Sequence, residues 1–250
     1  MVRRDLLRSV IGFTGSLMLT ESSAAANGTS KFHAIAFDAF PIFDPRPVAA
    51  RCEALFPGRG SELIQTWRTR QFEYTWLRTA AGRYADFEHV TAESLAFAAD
   101  ALKLDLTAEK RDHLLQAHFE LKAWPDVIPV LTQLRNAGLP LVFLSNFTPA
   151  MLKGCIESAG LGGMFDQVVS TDSAQTYKPD PHAYALAVTA LKMPREHILF
   201  VAFAGWDAAG AKLFGYPTFW VNRLGLPPER FGPMPDGTST DLDALPAFVR

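Results

Sequence analysis

Four groups of polar residues stand at or just after the ends of apolar segments that are predicted to be strands. Asp38 directly follows the apolar run 32–37, and the other groups are Ser145 with Asn146, Lys178, and Asp207. Because the carboxyl ends of parallel strands meet at one edge of a sheet, where ligands bind, these side chains are expected to converge. A carboxylate held at such an edge can act as a nucleophile.

Plainer interpretations of the same residues remain open at this point. Asp38 could be a turn residue, and Ser145 could cap the helix that follows it. Asp207 could be an acid that stabilises a helix N-terminus. The order of the four groups, each after its own strand, favours a shared site.

A metal ion has few candidate ligands in this chain. Two residues after Asp38 stands Phe40, where a magnesium-dependent phosphotransfer site needs a second acid. Magnesium prefers several oxygen ligands, so Asp38 and Asp207 alone are a poor set. Cys52 and Cys155 form no metal-binding motif and are predicted to be buried thiols. We therefore expect no metal and no other cofactor, and phosphoryl transfer is disfavoured.

Alternating apolar and helical segments must position these residues. The predicted strands are residues 32–37, 140–144, 167–170, 198–202 and 218–221, with helical patterns between them. This alternation is typical of βαβ units and a parallel sheet. Between the first two strands only helical periodicity recurs, which predicts a cap over the strand ends.

The predicted fold class is therefore α/β, with a Rossmann-like parallel sheet core and an inserted all-helical cap. The core comprises residues 27–45 and 124–250, and the cap comprises residues 46–123. With 250 residues, of which 48% are hydrophobic, the chain can build a sizeable core. The formal net charge of −2 argues against a nucleic-acid partner, which usually needs a basic face.

The first 26 residues are predicted to be an export signal. Arg3 and Arg4 begin it, a short apolar stretch spans residues 10–19, and small residues at 24–26 suit a signal peptidase. The paired arginines resemble a twin-arginine signal. An ordinary secretory signal or a membrane anchor is the alternative. The protein is thus expected to be exported or periplasmic, with no membrane partner for the mature form, and whether the signal is cleaved stays open.

Several longer motifs resemble the haloacid dehalogenase superfamily, and most closely its L-2-haloacid dehalogenases of type II. The resemblance covers about residues 32–245. It rests on the opening segment 37–44, the helical segment 67–78 with its Arg-x-x-Gln-x-Glu-Tyr-Thr-Trp pattern, and the segments 144–146, 177–180, 206–211 and 219–223. The helical segment is specific to this branch and carries most of the weight.

The resemblance implies hydrolytic dehalogenation of short (S)-2-haloacids to (R)-2-hydroxy acids without a metal. Asp38 would be the nucleophile that forms an ester intermediate, and Lys178 would keep it ionised by its opposite charge. Arg68 would receive halide or hold the substrate. Asp207 would position or activate water, or hold Lys178. The other implied site residues are Ser145 and Asn146 at the substrate carboxylate, Phe40, Phe72, Phe87 and Trp206 in an apolar wall, and Tyr184 behind the site.

The chain also departs from the family pattern at two places. Pro41-Ile42 replaces a Gly-Thr pair, and Ala202 and Ala204 stand where the family has Ser and Asn. These losses keep two alternatives open, namely a related aspartate-ester hydrolase for another leaving group, and a degenerate non-catalytic binder of small carboxylates. Whether they lower or abolish activity stays open, as do the preferred halogen and chain length. The resemblance also implies a homodimer.

Overall fold

Six parallel strands form the centre of the structure, a computed structural model that describes residues 31–250. The strands are β1 (Ala34–Phe37), β4 (Leu141–Ser145), β5 (Gln167–Ser170), β6 (Ile198–Ala202), β7 (Thr218–Val221) and β8 (Gly237–Ser239), and a separate ribbon pairs β2 (Phe43–Asp44) with β3 (Lys122–Ala123). The predicted signal, residues 1–26, lies outside the described residues.

The spatial order of the central sheet is β5-β4-β1-β6-β7-β8. The chain therefore builds outward from β1 on one side through β4 and β5, and then crosses to the other side to begin β6. This reversal between β1 and β6 is a topological switch point, where open parallel sheets bind ligands beyond the carboxyl ends of their strands. β1, β4, β6 and β7 are buried along their whole length, as expected for apolar strands covered by helices on both faces.

The helices fall into two groups along the chain. The first four are α1 (Arg46–Leu55), α2 (Gly60–Ala81), α3 (Phe87–Ala101) and α4 (Ala108–Gln116), and the remaining five are α5 (Val127–Asn136), α6 (Pro149–Ser158), α7 (Pro181–Leu191), α8 (Gly205–Phe214) and α9 (Leu245–Phe248). The first group forms a continuous helical insert between β2 and β3. Side-chain caps fix the N-termini of several helices. The Asp86 side chain accepts a hydrogen bond from the His89 N–H, and the Thr148 side chain accepts one from the Met151 N–H.

The fold class predicted from the sequence is confirmed, and the bounds of three strands agree with their predicted residues. The strand predicted at 140–144 is shifted by one residue, and its last residue is Ser145 itself. The turn-rich tail contains β8, which pairs with β7 at the sheet edge. Cys52 and Cys155 are both buried free thiols, as predicted.

The β2-β3 ribbon lies where the chain leaves the core and where it returns. Phe43 pairs with Ala123 and Asp44 with Lys122 in antiparallel register. The two ends of the helical insert are thereby joined to each other directly below the cap. Within residues 31–250, no helix is both long enough and apolar enough to cross a membrane.

Candidate active site

Three charged side chains meet beyond the carboxyl ends of β1 and β6. The Lys178 Nζ lies 2.8 Å from Asp38 Oδ1 and 2.7 Å from Asp207 Oδ2. Asp38 follows β1, Asp207 lies in the first turn of α8 after β6, and Lys178 precedes α7. Lys178 and Asp207 are each 1% exposed, so this ion network is shielded from water. Residues 140 positions apart are thus brought together by the switch point.

Burial and charge act in opposite directions on Lys178. Burial alone would lower the pKa of its ammonium, but the carboxylates of Asp207 and Asp38 outweigh burial and raise that pKa above its ordinary value. The ammonium also lies over the Phe200 ring, 5.1 Å from its centroid. Lys178 is therefore a permanent cation between two acids.

Asp207 is held from its other side by Tyr184 on α7. The Tyr184 hydroxyl donates to Asp207 Oδ1 at 2.7 Å. Burial raises the pKa of Asp207 to about 6, and Asp38 also raises it, while Lys178 and the Tyr184 hydrogen bond oppose that rise. The pKa of Asp207 thus stays above the ordinary aspartate value even with the ammonium beside it. Tyr184 itself is fully buried and stands behind the network, as the sequence implied.

Asp38 keeps one oxygen nearly free. Its Oδ1 accepts from Lys178, whereas its Oδ2 accepts only a long 3.3 Å hydrogen bond from the Phe40 N–H. The loop after Asp38 is fixed through its carbonyls instead. The Trp124 indole donates to Phe40 O at 3.0 Å, and Arg223 Nη2 donates to Pro41 O at 2.9 Å. Oδ2 is thus the oxygen of Asp38 that is available for chemistry.

A cavity of about 190 Å³ opens in front of this network, and we call it the reaction cavity. All ten residues that the sequence assigned to the catalytic and substrate-binding set line it, namely Asp38, Phe40, Arg68, Phe72, Phe87, Ser145, Asn146, Lys178, Trp206 and Asp207. The helical insert supplies Arg68, Phe72 and Phe87, and the core supplies the rest. The cavity therefore lies at the seam between the two.

Six aromatic residues line the reaction cavity, namely Phe40, Phe72, Phe87, Phe147, Phe203 and Trp206. Phe40 contacts Phe147 edge-on and Phe203 at an angle, with centroids 5.3 and 5.8 Å away. Phe72 meets Trp206 edge-on at 5.4 Å. Such a wall excludes water and strengthens the electrostatic interactions inside the cavity. A substrate can form polar contacts only with the charged and polar residues of the lining.

Arg68 is the free cation of the cavity. Among the described residues it has neither a carboxylate partner nor a hydrogen-bond acceptor, and its guanidinium lies over the Phe40 ring, 5.9 Å from the centroid. Burial lowers its pKa from the ordinary value. A half-buried guanidinium without an acid is poised to bind an incoming anion.

Ser145 and Asn146 offer donors on the opposite side of the cavity. The Ser145 Oγ already accepts from the Phe147 N–H at 3.1 Å, so its hydroxyl proton is left to donate. The Asn146 Oδ1 accepts from the Lys178 N–H at 3.1 Å and from Thr171 Oγ1 at 3.3 Å. This arrangement aims the Asn146 side-chain amide N–H groups away from those partners and leaves them for a ligand. A small carboxylate could accept from both residues.

Eight further residues line the reaction cavity that were not assigned to the catalytic or substrate-binding set. They are Phe147, Phe203, Ala204, Gly205, Asn222, Leu224, Leu226 and Glu229. Phe147 follows Asn146 directly, so its position after β4 was a usable signal. Leu224, Leu226 and Glu229 lie in the irregular segment after β7, and no periodic pattern marks them.

The charged groups do not form a good magnesium site. The Lys178 ammonium already occupies the space between Asp38 and Asp207, and Phe40 stands where a further acid would be needed. Within the described part of the chain, no group of three or more His, Cys, Asp or Glu residues is placed to hold a metal ion.

Comparison with known proteins places these residues in a family context. The model for haloacid dehalogenase-like hydrolases matches residues 19–215. An (S)-2-haloacid dehalogenase of Pseudomonas sp. (strain YL) is 43% identical over 84% of this chain and 91% of its own length. Haloacetate dehalogenase H-2 of Moraxella sp. (strain B) is 38% identical over 86% of this chain and 96% of its own length.

Solved structures agree with these sequence matches. A crystal structure of an L-2-haloacid dehalogenase, 45% identical, superposes with a TM-score of 0.86 over 88% of this chain and 99% of that one. The L-2-haloacid dehalogenase from Xanthobacter autotrophicus with chloropropionic acid covalently bound is 35% identical. It superposes with a TM-score of 0.82 over 88% of this chain and 98% of its own.

The contact between Tyr184 and Asp207 predicts a measurable change in titration. In Tyr184→Phe the hydroxyl that lowers the pKa of Asp207 is gone, so we expect Asp207 to titrate about one pH unit higher, the effect of one ordinary hydrogen bond. Carbon-13 NMR of protein labelled at the aspartate carboxyl carbons measures this pKa.

Tyr216→Phe is the matched control for that titration. The Tyr216 hydroxyl donates to the Tyr184 carbonyl at 2.6 Å and does not contact Asp207. We expect the Asp207 titration to stay near pH 6 in this variant. Equal titration of Asp207 in the wild type and in Tyr184→Phe would show that the hydrogen bond does not hold the carboxylate.

Proposed function

The chain belongs to the haloacid dehalogenase-like hydrolases and, within them, to the L-2-haloacid dehalogenases, and from this membership we propose that it converts short (S)-2-haloacids to (R)-2-hydroxy acids. One observation carries the proposal. Asp38, which is paired with Lys178 and keeps one oxygen nearly free, and Arg68, which has no acid partner, line the same largely apolar cavity. This is the arrangement that displacement of a halide by a carboxylate needs.

In the first step Asp38 Oδ2 attacks carbon 2 of the haloacid from the side opposite the halogen. The new carbon–oxygen bond forms as the carbon–halogen bond breaks, so the halide leaves with the bonding electrons and the carbon inverts. Ser145 and Asn146 hold the substrate carboxylate, and Arg68 accepts the halide. Fixing both reacting groups in line supplies much of the rate enhancement.

In the second step water hydrolyses the ester on Asp38. Asp207 is the candidate base, because its pKa of about 6 leaves it ionised at neutral pH and still basic enough to take a proton from water. The hydroxy acid leaves and the Asp38 carboxylate is restored. Lys178 supports both states, since its ammonium stabilises the free carboxylate and polarises the ester carbonyl.

The proposed reaction is metal-independent. Lys178 supplies the positive charge that a magnesium ion supplies in other carboxylate sites, and it does so from between the two acids. The loss of the family hydroxyls is offset by contacts of this chain. The Phe200 ring and two carboxylates hold Lys178, and main-chain carbonyls fix the loop after Asp38.

Halide release from the separate enantiomers of 2-chloropropionate, in the presence of a metal chelator, tests the proposal. We expect release from the (S) enantiomer alone and at least a thousandfold loss in Asp38→Asn. Arg68→Ala should lose far more activity than Arg78→Ala. Arg78 lies on the same helix, but Glu93 already neutralises it at 2.5 Å.

Two outcomes of that experiment contradict the assignment. Full activity in Asp38→Asn would exclude an aspartate ester. No release from either enantiomer would favour a degenerate carboxylate binder or another leaving group, with Ala202 and Ala204 as the leading cause. Intact-mass measurement of an ester on Asp38 distinguishes these last two.

We also propose that the protein is a homodimer through the outer face of α2 and α3. Tyr74 and Phe97 contact each other there, and Leu77 is 60% exposed beside them. Leu77→Glu should therefore give a monomer by size-exclusion chromatography with light scattering. Leu213→Glu, on α8 and equally exposed at 59%, is the control that should leave the dimer intact. A wild-type monomer would refute the proposal.

Export through the twin-arginine route is proposed from the sequence of residues 1–26. Replacing Arg3 and Arg4 together by lysine should leave the protein in the cytoplasm in cell fractionation, because that route reads the arginine pair. Arg8→Lys is the control, because it replaces an arginine outside the pair by lysine without changing the charge. This variant should be exported normally. Normal export of the double variant would instead indicate an ordinary secretory signal.

A further inference from the structure

A second cavity, of about 280 Å³, shares Arg68 with the reaction cavity but is not lined by Asp38. Arg68, Phe203 and Leu224 line both this cavity and the reaction cavity, so they form the partition between the two. The helical insert contributes Ala49 of α1 and Gln65 of α2 to the second cavity. It therefore opens along the seam between the insert and the core, beside the β2-β3 ribbon.

Three arginine side chains line the second cavity. Arg46 and Arg223 line it together with Arg68, and no carboxylate residue lines it. The Arg46 and Arg223 guanidiniums lie over the Trp124 ring, each 4.5 Å from its centroid. Two guanidiniums on one indole, with a third arginine in the same lining, make a polarisable pocket rich in N–H donors, which suits a small weakly hydrated anion.

The acids near this cavity already form ion pairs with arginine side chains. Asp44 forms hydrogen bonds of 2.6 to 2.9 Å to Arg46, and Asp126 lies 2.8 Å from Arg223 Nη2. Asp126 also accepts from the Leu242 N–H at 2.7 Å. These two acids neutralise Arg46 and Arg223 from behind, which leaves Arg68 as the uncompensated charge. Arg223 Nε is buried and has no hydrogen-bond partner.

We propose that the second cavity is a binding site for a small monovalent anion, and that it receives the halide that Arg68 accepts in the reaction cavity. This inference rests on the proposed function for the source of the halide. A halide on Arg68 would need only to pass the guanidinium to reach a pocket with two further arginines, one of which has a buried Nε without a hydrogen-bond partner. Halide would then leave at the seam, away from the side where the substrate carboxylate is held.

Bromide-soaked crystals of the protein test the site directly, because bromide gives an anomalous diffraction signal. We expect a bromide peak in the second cavity in contact with Arg46 or Arg223. A bromide peak in the reaction cavity alone, or none at all, would overturn the proposal. This measurement requires no turnover.

A pair of variants of nearly equal size tests the site in solution. Ala49 is half-buried on the cavity wall and contacts no reacting group, so Ala49→Glu adds a charge there and Ala49→Gln adds only the same volume. The inhibition constant of bromide should rise at least about fivefold in Ala49→Glu relative to Ala49→Gln, the effect of one like charge about 4 Å away in water. Equal constants would overturn the proposal.

Gln65→Glu keeps the test available if Ala49→Glu does not fold. Gln65 is exposed on α2 and lines the same cavity, and the change is isosteric. Bromide inhibition should weaken in the same direction relative to the wild type. An unchanged constant in this variant would also count against the site.

Propionate distinguishes the two possible sources of the anion, because it is a carboxylate without a leaving group. For a halide site, propionate should leave bromide in the second cavity and displace it only from the reaction cavity. Displacement from the second cavity would overturn the assignment to halide and make this an entry site for the substrate carboxylate.

Failure of this inference is separable from failure of the proposed function. If the protein binds bromide in the second cavity but releases no halide from 2-chloropropionate, the proposed anion site is supported and the proposed dehalogenase activity is refuted. If the protein releases halide but shows no bromide in the second cavity, the proposed activity is supported and the proposed anion site is refuted.

Discussion

The ion network of Lys178 with Asp38 and Asp207 is the interaction on which the rest of the site depends. Burying three charges is costly, and the cost is offset only because the ammonium bonds to both carboxylates at short distances. Removing Lys178 would leave two buried carboxylates without their shared cation, and removing either acid would leave the ammonium with a single carboxylate. A network of this kind rarely adds net stability, so its presence at a ligand-binding edge points to chemistry.

The arrangement of charged side chains around the reaction cavity suits displacement of a halide. Asp38 and Asp207 carry two negative charges and Lys178 one positive charge, so the network alone has a net charge of −1. Arg68 balances the charge of that network, and Glu229, which also lines the cavity, is the remaining charge before a substrate enters. In the proposed first step the charge of Asp38 moves to the departing halide, which Arg68 would accept. The apolar wall between them keeps water from screening that transfer.

The sequence was most informative where residues follow buried strands. Asp38, Ser145 and Asp207 were predicted correctly as neighbours because apolar runs fixed the strand ends, and parallel strands end at one edge. The resemblance was needed for Arg68 and Phe72, since a helix periodicity does not say which face meets the core. The two-residue strands of the ribbon and the cavity residues Leu224 and Leu226 show no period at all, so only the folded structure could place them.

The loop after Asp38 lacks the family's Gly-Thr pair, and hydrogen bonds to its main-chain carbonyls hold it. Trp124 and Arg223 donate to the carbonyls of Phe40 and Pro41, which fixes the loop after Asp38. A carbonyl bond depends on backbone position and not on the identity of the loop residue, so Pro41 and Ile42 are tolerated there. The same two donors line the second cavity. An anion bound beside them would therefore touch the residues that hold the nucleophile loop, which gives a physical path from halide occupancy back to the position of Asp38.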